Sequence, residues 1–548
     1  MVKSTLKNGT NFLFNTQNTI ISAAFILAFA TGLNAVLGLV KNRLLTHYFG
    51  VSDQLGVFYT ADRIPSLIYS TLVVGALSTV FIPVFNGHYK KSPSTAWHTA
   101  SSMITATLIF FLILGGIIFA GAPLVMEILS VGKFTPDQVT LGANLMRIML
   151  VGQFILIFSS FLTSLLQSFK YFIIPALAPI LYSFGMILGT ILLSDRYGIY
   201  GPAIGVIIGA FFHMFIQIPL LKKIGYKYTL SLDFRDKGLR EIYKLVPPRI
   251  TSVILANTIA TVNNSFAILV STSSVIFLKF ANQLQFFPVS LFGLSISAAA
   301  LPTFSLESGD DDHEKFKKTF ITSLHQMLFL VMPASVILFV LRVPVVRLVY
   351  GSANFPWEAT LQTAYALGFF SISIFAQSAI YLLNRAFFAF RDTTTPVKIS
   401  LVTICINIGL SLFFVNYLKW GVWSLAFSYS ITSFMDTIVL LYFLSKKLGG
   451  FDLEKLLGPF TKISYASVFM GISLYLPLKL LDITVFDTSR TINLILLTGI
   501  ACVAGGFSYL FFTKVFKVEE VQLLYKLLGK LQLRTKPVLP AEAEKNEV

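Results

Sequence analysis

Apolar runs of about 20 residues, each long enough to cross the hydrocarbon core of a bilayer as a helix, recur along almost the whole chain between short polar turns. They fall at about 20–41, 56–85, 98–126, 140–168, 172–193, 199–221, 248–271, 275–304, 319–341, 360–383, 397–417, 421–444, 459–478 and 491–513. The pattern predicts an all-α polytopic membrane protein with about fourteen transmembrane helices. Composition agrees: 55% of the 548 residues are hydrophobic and 12% are charged. That charged share is about half the soluble average and excludes a water-soluble enzyme of ordinary build.

The formal charge of +17, from 42 Lys+Arg against 25 Asp+Glu, takes its meaning from position. About 30 basic residues fall on the side shared by the two termini and about nine on the other. The first group includes Lys90, Lys91, Lys170, Lys222 and Lys446, and the second includes Lys41, Arg43, Arg196, Arg342 and Lys479. An excess on one side is the positive-inside signature, so both termini are expected in the cytoplasm and the charge implies no nucleic-acid partner. Cys405 and Cys502 both lie in apolar runs, which leaves neither a disulfide framework nor a thiolate metal site.

The chain also resembles itself at an offset of about 220 residues. Leu165-Leu166-Gln167 with Pro175 matches Leu382-Leu383-Asn384 with Pro396, Tyr200-Gly201 matches Trp420-Gly421, and Lys222 matches Lys446. Six spans per copy give two parallel six-helix repeats plus two extra C-terminal helices, an architecture that binds cargo between halves and alternates access. The expected division is an N-lobe at 1–225, a basic cytoplasmic linker at 226–247, a C-lobe at 248–450, spans 13 and 14 at 451–515, and a cytoplasmic amphipathic helix with a disordered tail at 516–548.

Ionisable residues inside a span are costly and so mark function unless they face a partner. Asp62 and Arg63 in span 2 correspond, at the repeat offset, to Asn282 and Gln283 in span 8. Lys279, Asn282, Gln283 and Phe286 share one helix face, with Gln285 beside it. Spans 2 and 8 are therefore expected to line a central polar cavity. Lys41 near the end of span 1 either joins that cavity or snorkels to the interface. Arg147, His213, His325 and Asp436 are isolated, whereas Asn257, Asn264 and Asn407 suit interhelical hydrogen bonds. The acidic turn Asp310 to Glu314 lacks the glycine-containing ligand spacing of a calcium loop and reads as solvated. With no phosphate-binding glycine loop, HExxH or nucleophile elbow, the sequence makes no case for an enzyme, a bound cofactor or a metal.

The stretches Gly75 to Phe85, Leu166 to Pro179 and above all Asn384 to Ile399 resemble the MurJ family of lipid II flippases, within the multidrug/oligosaccharidyl-lipid/polysaccharide exporter superfamily. The resemblance covers about residues 17–515. It implies two lobes around a central cavity, a lipid-tail groove at the last two helices, and translocation of the undecaprenyl-linked peptidoglycan precursor across the bacterial cytoplasmic membrane. It also marks departures. Where the family usually carries charge this chain has Ala35, Asn42, Tyr69, Asn282 and Gln283, while Lys41 and Arg63 keep the family's basic positions.

The expected substrate-binding set is therefore Lys41, Asp62, Arg63, Lys279, Asn282, Gln283 and Gln285. The three cations Lys41, Arg63 and Lys279 would meet a diphosphate and the amides a sugar or peptide. The expected partners are a lipid-linked saccharide and membrane lipids, with the protein a monomer and transport coupled to the membrane potential or a monovalent ion. Three other readings stay open: a flippase for another lipid-linked saccharide, a drug or cation antiporter using Asp62 or Asp436, and a non-transporting membrane scaffold.

Overall fold

The fold is that of a computed structural model, described over residues 20–73, 80–226, 228–233, 236–309, 313–484, 486–487 and 490–521, without the side chains at 20–28, 237, 243–249, 251–252 and 256. It is helical, with no strand among the described residues. Eleven described helices are long and apolar enough to cross a membrane, or twelve when the broken pair Trp357–Ile372 and Ile374–Ala389 counts as one. These twelve correspond to expected spans 3–14. The first two expected spans are helical too where they are described, at Ile20–Phe49 and at Asp53–Ala61, Arg63–Leu72 and Ile82–Tyr89, but residues 74–79 of the second lie outside the described set. The acidic turn at 310–312 and the amphipathic tail beyond 521 also lie outside the described residues.

Local chemistry sets the element ends. Ser52, Ser92 and Thr135 have extended backbone and accept from the amide three residues on, satisfying one of the donors a helix start leaves unpaired. Thr135 and Gln138 form a reciprocal capping box around Pro136. The expected second span is not one helix: it breaks between Asp53–Ala61 and Arg63–Leu72, with Asp62 at the junction. Pro65 is the physical reason, because it has no N–H to give to the carbonyl of Ala61. In the eighth span, Ser274–Pro288 gives way to a π-helical turn at Val289–Leu294 before the helix resumes at Ser295.

Residues with left-handed backbone recur at the repeat spacing. Lys170 (φ 62°) pairs with Arg391 (φ 57°), Gly198 (φ 55°) with Lys419 (φ 56°), and Gly225 (φ 76°) with Gly449 (φ 76°). The first pair ends its helices with the same bonds. Lys170 N donates to Gln167 O at 3.0 Å and Tyr171 N to Leu166 O at 3.0 Å, while Arg391 N donates to Phe388 O at 2.9 Å and Asp392 N to Phe387 O at 3.0 Å. Two stretches with little identity thus terminate their helices in the same way.

Two compact units are drawn from interleaved stretches of chain. The first comprises 1–287, 342–370 and 394–436, and its buried side chains include Phe81, Phe85, Phe161, Phe280 and Tyr350. Within it the helices Ile173–Tyr197 and Tyr200–Phe215 pack backbone against backbone. A Cβ at Gly185 would lie 2.3 Å from Gly209 Cα, and one at Gly189 would lie 2.3 Å from Gly205 Cα. Small residues four apart on facing helices are the membrane's substitute for hydrophobic driving force.

The chain after residue 224 folds back over the start of the Pro93–Ala120 helix. Tyr226 OH and Ser101 Oγ lie 3.4 Å apart and Tyr228 OH and Thr105 Oγ1 2.8 Å apart, while Thr99 Oγ1 donates to Asp236 Oδ1 at 2.9 Å. Asp236 Oδ1 also accepts from Leu239 N at 2.7 Å and so caps the Lys237–Val270 helix.

The second unit comprises 288–341, 371–393 and 437–548, with Phe304, Phe316, Phe320, Phe329 and Phe387 in its interior. The two C-terminal helices, Leu453–Thr484 and Thr491–Val515, meet closely at Gly505, whose added Cβ would lie 2.6 Å from Leu474 Cγ. Tyr509 OH donates to Phe329 O at 2.7 Å and fixes the last helix to Glu314–Val340. The outer faces of both carry apolar side chains, among them Ile472, Leu476, Val503 and Phe507, each at least 49% exposed, as lipid-facing helices require.

Candidate functional site

The first unit brings four of the seven expected site residues together. Lys41 comes from Ile20–Phe49, Asp62 and Arg63 from the break in span 2, and Lys279 from Ser274–Pro288. Asp62 attracts all three cations, and Lys279 feels repulsion from both Lys41 and Arg63. Three positive charges are therefore within electrostatic reach of one negative charge. Lys279 Nζ stands 3.9 Å from Asp62 Oδ2, with the two side chains 35% and 29% exposed. At that separation and exposure the pair contributes about 0–1 kcal/mol, so it leaves most of the lysine's charge uncommitted.

The other two cations are less well partnered. Lys41 Nζ contacts Met186 Sδ at 4.0 Å, a weak acceptor for an ammonium. It turns inward rather than snorkelling. Arg63 Nε is buried with no hydrogen-bond partner among the described residues, a state that costs about 1–3 kcal/mol until an acceptor reaches it. Asp62 Oδ1 accepts from Ser66 Oγ at 2.9 Å, one turn further along the span.

The three amides do not act as one surface. Asn282 is exposed and accepts from Gln285 Nε2 at 2.9 Å, while Gln285 is buried and its Oε1 has no partner among the described residues. Gln283 turns away from Asn282. Its Oε1 accepts from Asn42 Nδ2 and lies 3.4 Å from Tyr350 OH. Gly38 permits this approach, since a Cβ there would stand 3.1 Å from Gln283 Nε2.

Asn42, Tyr59 and Tyr350 were not in the sequence-derived set, yet all three are buried within this network. They are uncharged, so the cost of intramembrane charge did not single them out. The available signal was spacing: Tyr59 lies three residues before Asp62, on its helical face.

The remaining polar candidates have structural partners. Arg147 Nε donates to Phe119 O at 3.0 Å, Nη1 donates to Asn144 Oδ1 at 3.1 Å, and the guanidinium lies over the Phe119 ring. His213 Nδ1 lies 2.6 Å from Ser159 Oγ, and Gln217 Nε2 donates to Ser159 Oγ at 2.9 Å. Asn264 reaches Thr60 at 3.5 Å and Asn407 reaches Thr432 at 3.3 Å across helices. Asn257 instead donates to Val253 O in its own helix, contrary to the interhelical role expected. His325 Nε2 is 2.9 Å from Leu456 O and Nδ1 is 3.9 Å from Glu520. Asp436 Oδ1 is buried without a partner among the described residues. Among those residues no group of three His, Cys, Asp or Glu could hold a metal ion.

An all-helical multi-pass membrane fold with a mainly cationic intramembrane cluster is the class that these features define. The model of the lipid II flippase MurJ family matches residues 45–494, and the chain belongs to that family. A probable lipid II flippase MurJ of Buchnera aphidicola subsp. Acyrthosiphon pisum is 27% identical over 511 residues, covering 90% of this chain and 97% of that protein. A lipid II flippase MurJ solved in an inward closed conformation superposes with TM-score 0.74 at 24% identity, covering 90% of this chain and 98% of the other. An inward-facing multidrug resistance transporter of the MATE family superposes at 0.64 with 17% identity, over 76% of this chain and 94% of the other. These superpositions establish the fold, and the family model establishes the family.

Proposed function

We propose that this protein translocates lipid II across the bacterial cytoplasmic membrane by alternating access. The observation that carries the reading is the grouping of three intramembrane cations with one carboxylate: Lys279 Nζ lies 3.9 Å from Asp62, Arg63 is the next residue, and Lys41 turns inward beside Asn42, which is bonded to Tyr59 one turn before Asp62. A net positive cluster favours a diphosphate, which supplies acceptors for Arg63 Nε and for two ammonium groups. Asn282 and Gln285 would contact sugar or peptide, and the exposed apolar faces of the last two helices would take the polyprenyl tail. The name carried by the Buchnera relative agrees with this reading.

The finer assignments belong to the same proposal. The protein acts as a monomer and a transporter, not an enzyme. It uses no bound cofactor and draws on the membrane potential or a monovalent ion. Both termini are cytoplasmic, 1–225 and 248–450 form the two lobes, and 226–247 links them. The test is rescue of cells depleted of their own lipid II flippase. Wild type should rescue, while Lys41→Ala combined with Arg63→Ala should not. Rescue by that double variant would overturn the cluster as the binding site.

A second reading has one observation in its favour. Ala35, Asn42, Tyr69, Asn282 and Gln283 stand where the family usually carries charge, so the cluster holds fewer charges than the family pattern implies. A flippase for another lipid-linked saccharide would fit that reduction. Mass spectrometry of the lipid that co-purifies with the protein separates the two, because the headgroup masses differ.

A further inference from the structure

Tyr59 stands at the centre of a connected set of side chains that the reading above leaves unused. It is 3% exposed and lies on Asp53–Ala61, one turn before Asp62. Lys279 Nζ sits over its ring, 4.0 Å from the centroid. The hydroxyl donates to Asn42 Oδ1 at 3.0 Å, and Asn42 donates through Nδ2 to Gln283 Oε1. Tyr350, whose hydroxyl lies 3.4 Å from the same oxygen, stacks on Phe280 with centroids 4.1 Å apart. Phe280 meets Tyr59 edge-on at 6.1 Å. The contacts thus close into a ring of five side chains that holds the tyrosine at both its hydroxyl and its edge.

A lysine stem has four rotatable bonds and loses rotamer entropy when fixed. Two groups restrain Lys279, and they differ in what they leave for a ligand. A carboxylate neutralises the ammonium and competes with an anionic headgroup. An aromatic face attracts the ammonium through its quadrupole and leaves the full charge in place. Asp62, at 3.9 Å, lies beyond hydrogen-bonding distance, so the ring can carry the lysine when an anion draws it from the carboxylate.

The geometry points to Tyr59 as a positioning residue that holds Lys279 charged and available to a diphosphate headgroup, with Asn42, Gln283, Tyr350 and Phe280 fixing the ring. This rests on the assignment of Lys279 to the substrate site. The test is binding of purified lipid II to the full-length protein in nanodiscs. Lys279→Ala should weaken binding about tenfold and Tyr59→Leu about three- to tenfold. Tyr59→Phe, which keeps the ring and its contact with Phe280 but loses the hydroxyl anchor to Asn42, should fall between wild type and Tyr59→Leu. The double variant Tyr59→Leu with Lys279→Ala should bind no worse than Lys279→Ala alone, since the two residues act through one contact.

Phenylalanines of increasing ring fluorination, placed at position 59, keep the shape and drain the π face. Affinity should fall with each fluorine in the wild-type background and stay flat in Lys279→Ala, a dependence that packing alone does not produce. Full additivity in the double variant, or affinity insensitive to fluorination, overturns the proposal while leaving Lys279 as a binding residue. Unchanged binding in Lys279→Ala overturns the assignment of Lys279 and this inference with it.

Discussion

Asn42 donates its side-chain amide to Gln283, 241 positions along the chain, and the two join the Ile20–Phe49 helix to Ser274–Pro288. Both stand where the family usually carries charge, so a neutral amide pair occupies a place suited to an ion pair. An unpaired buried charge there should be severe. Asn42→Asp alone is expected to lower stability by about 3–5 kcal/mol, with much of the loss recovered by adding Gln283→Arg. Thermal denaturation in detergent of the two single variants and the double variant checks this. Failure of the second substitution to restore the melting temperature would remove the pairing argument.

Asp62→Asn has an expected sign that separates two functions. Removing the one carboxylate from among three cations should leave the cluster more positive and tighten binding of a diphosphate lipid a few-fold, with the gain shrinking at high salt. An antiporter using Asp62 as its proton or cation site would instead lose transport. Titration of lipid II binding at two salt concentrations, beside a transport assay in proteoliposomes, reads both outcomes.

The close helix crossing in the first unit predicts a steric loss. Gly205→Ile would drive a branched side chain into backbone around Met186 and Gly189, where even a Cβ has neighbours at 3.0–3.2 Å. Destabilisation by more than about 3 kcal/mol, read as lost expression and a lower melting temperature, is expected. Gly87→Ala meets nothing within 4 Å and should cost little, since alanine is the better helix former.

The folded-back segment after residue 224 should loosen on two perturbations. Asp236→Ala removes a helix cap and the acceptor for Thr99, costing about 1 kcal/mol. Burial pushes the Tyr226 phenol up to about 12. A phenol raised in the folded state contributes stability that is full below its unfolded value of about 10 and is lost as pH rises through the folded one. Limited proteolysis should therefore cut this segment faster between about pH 10 and 12, and Tyr226→Phe should flatten that dependence. A pH response unchanged in the variant would assign it elsewhere.

The helical membrane fold was legible because length and apolarity suffice to read a span, and the offset between Leu166 and Leu383 exposed the repeat. Lys41, Asp62, Arg63 and Lys279 were legible because charge inside a span demands an explanation. The hydrogen-bonded surroundings were not. Nothing near Asn42 in sequence points to Gln283 as its partner, and Tyr59 reads locally as one more aromatic in a chain with 53 Phe and 21 Tyr. The break at Asp62 was readable in principle from Pro65, but the apolar run continues past it and concealed the interruption.

That break also changes what the backbone contributes. Each helix end carries a partial charge of about half an electron, negative at the C-terminus and positive at the N-terminus. An unbroken span would place both ends at the membrane surfaces. Here the helical path continues through Asp62, whose N–H donates to Phe58 O and whose carbonyl accepts from Ser66 N, and Pro65 removes a single bond, so the Ala61 carbonyl next to Asp62 lacks its usual donor four residues on. The partial negative charge of that carbonyl complements the cations. Such a field titrates with no proton and is displaced by no substrate, which gives the cluster a permanent electrostatic frame that depends on the missing N–H of one proline.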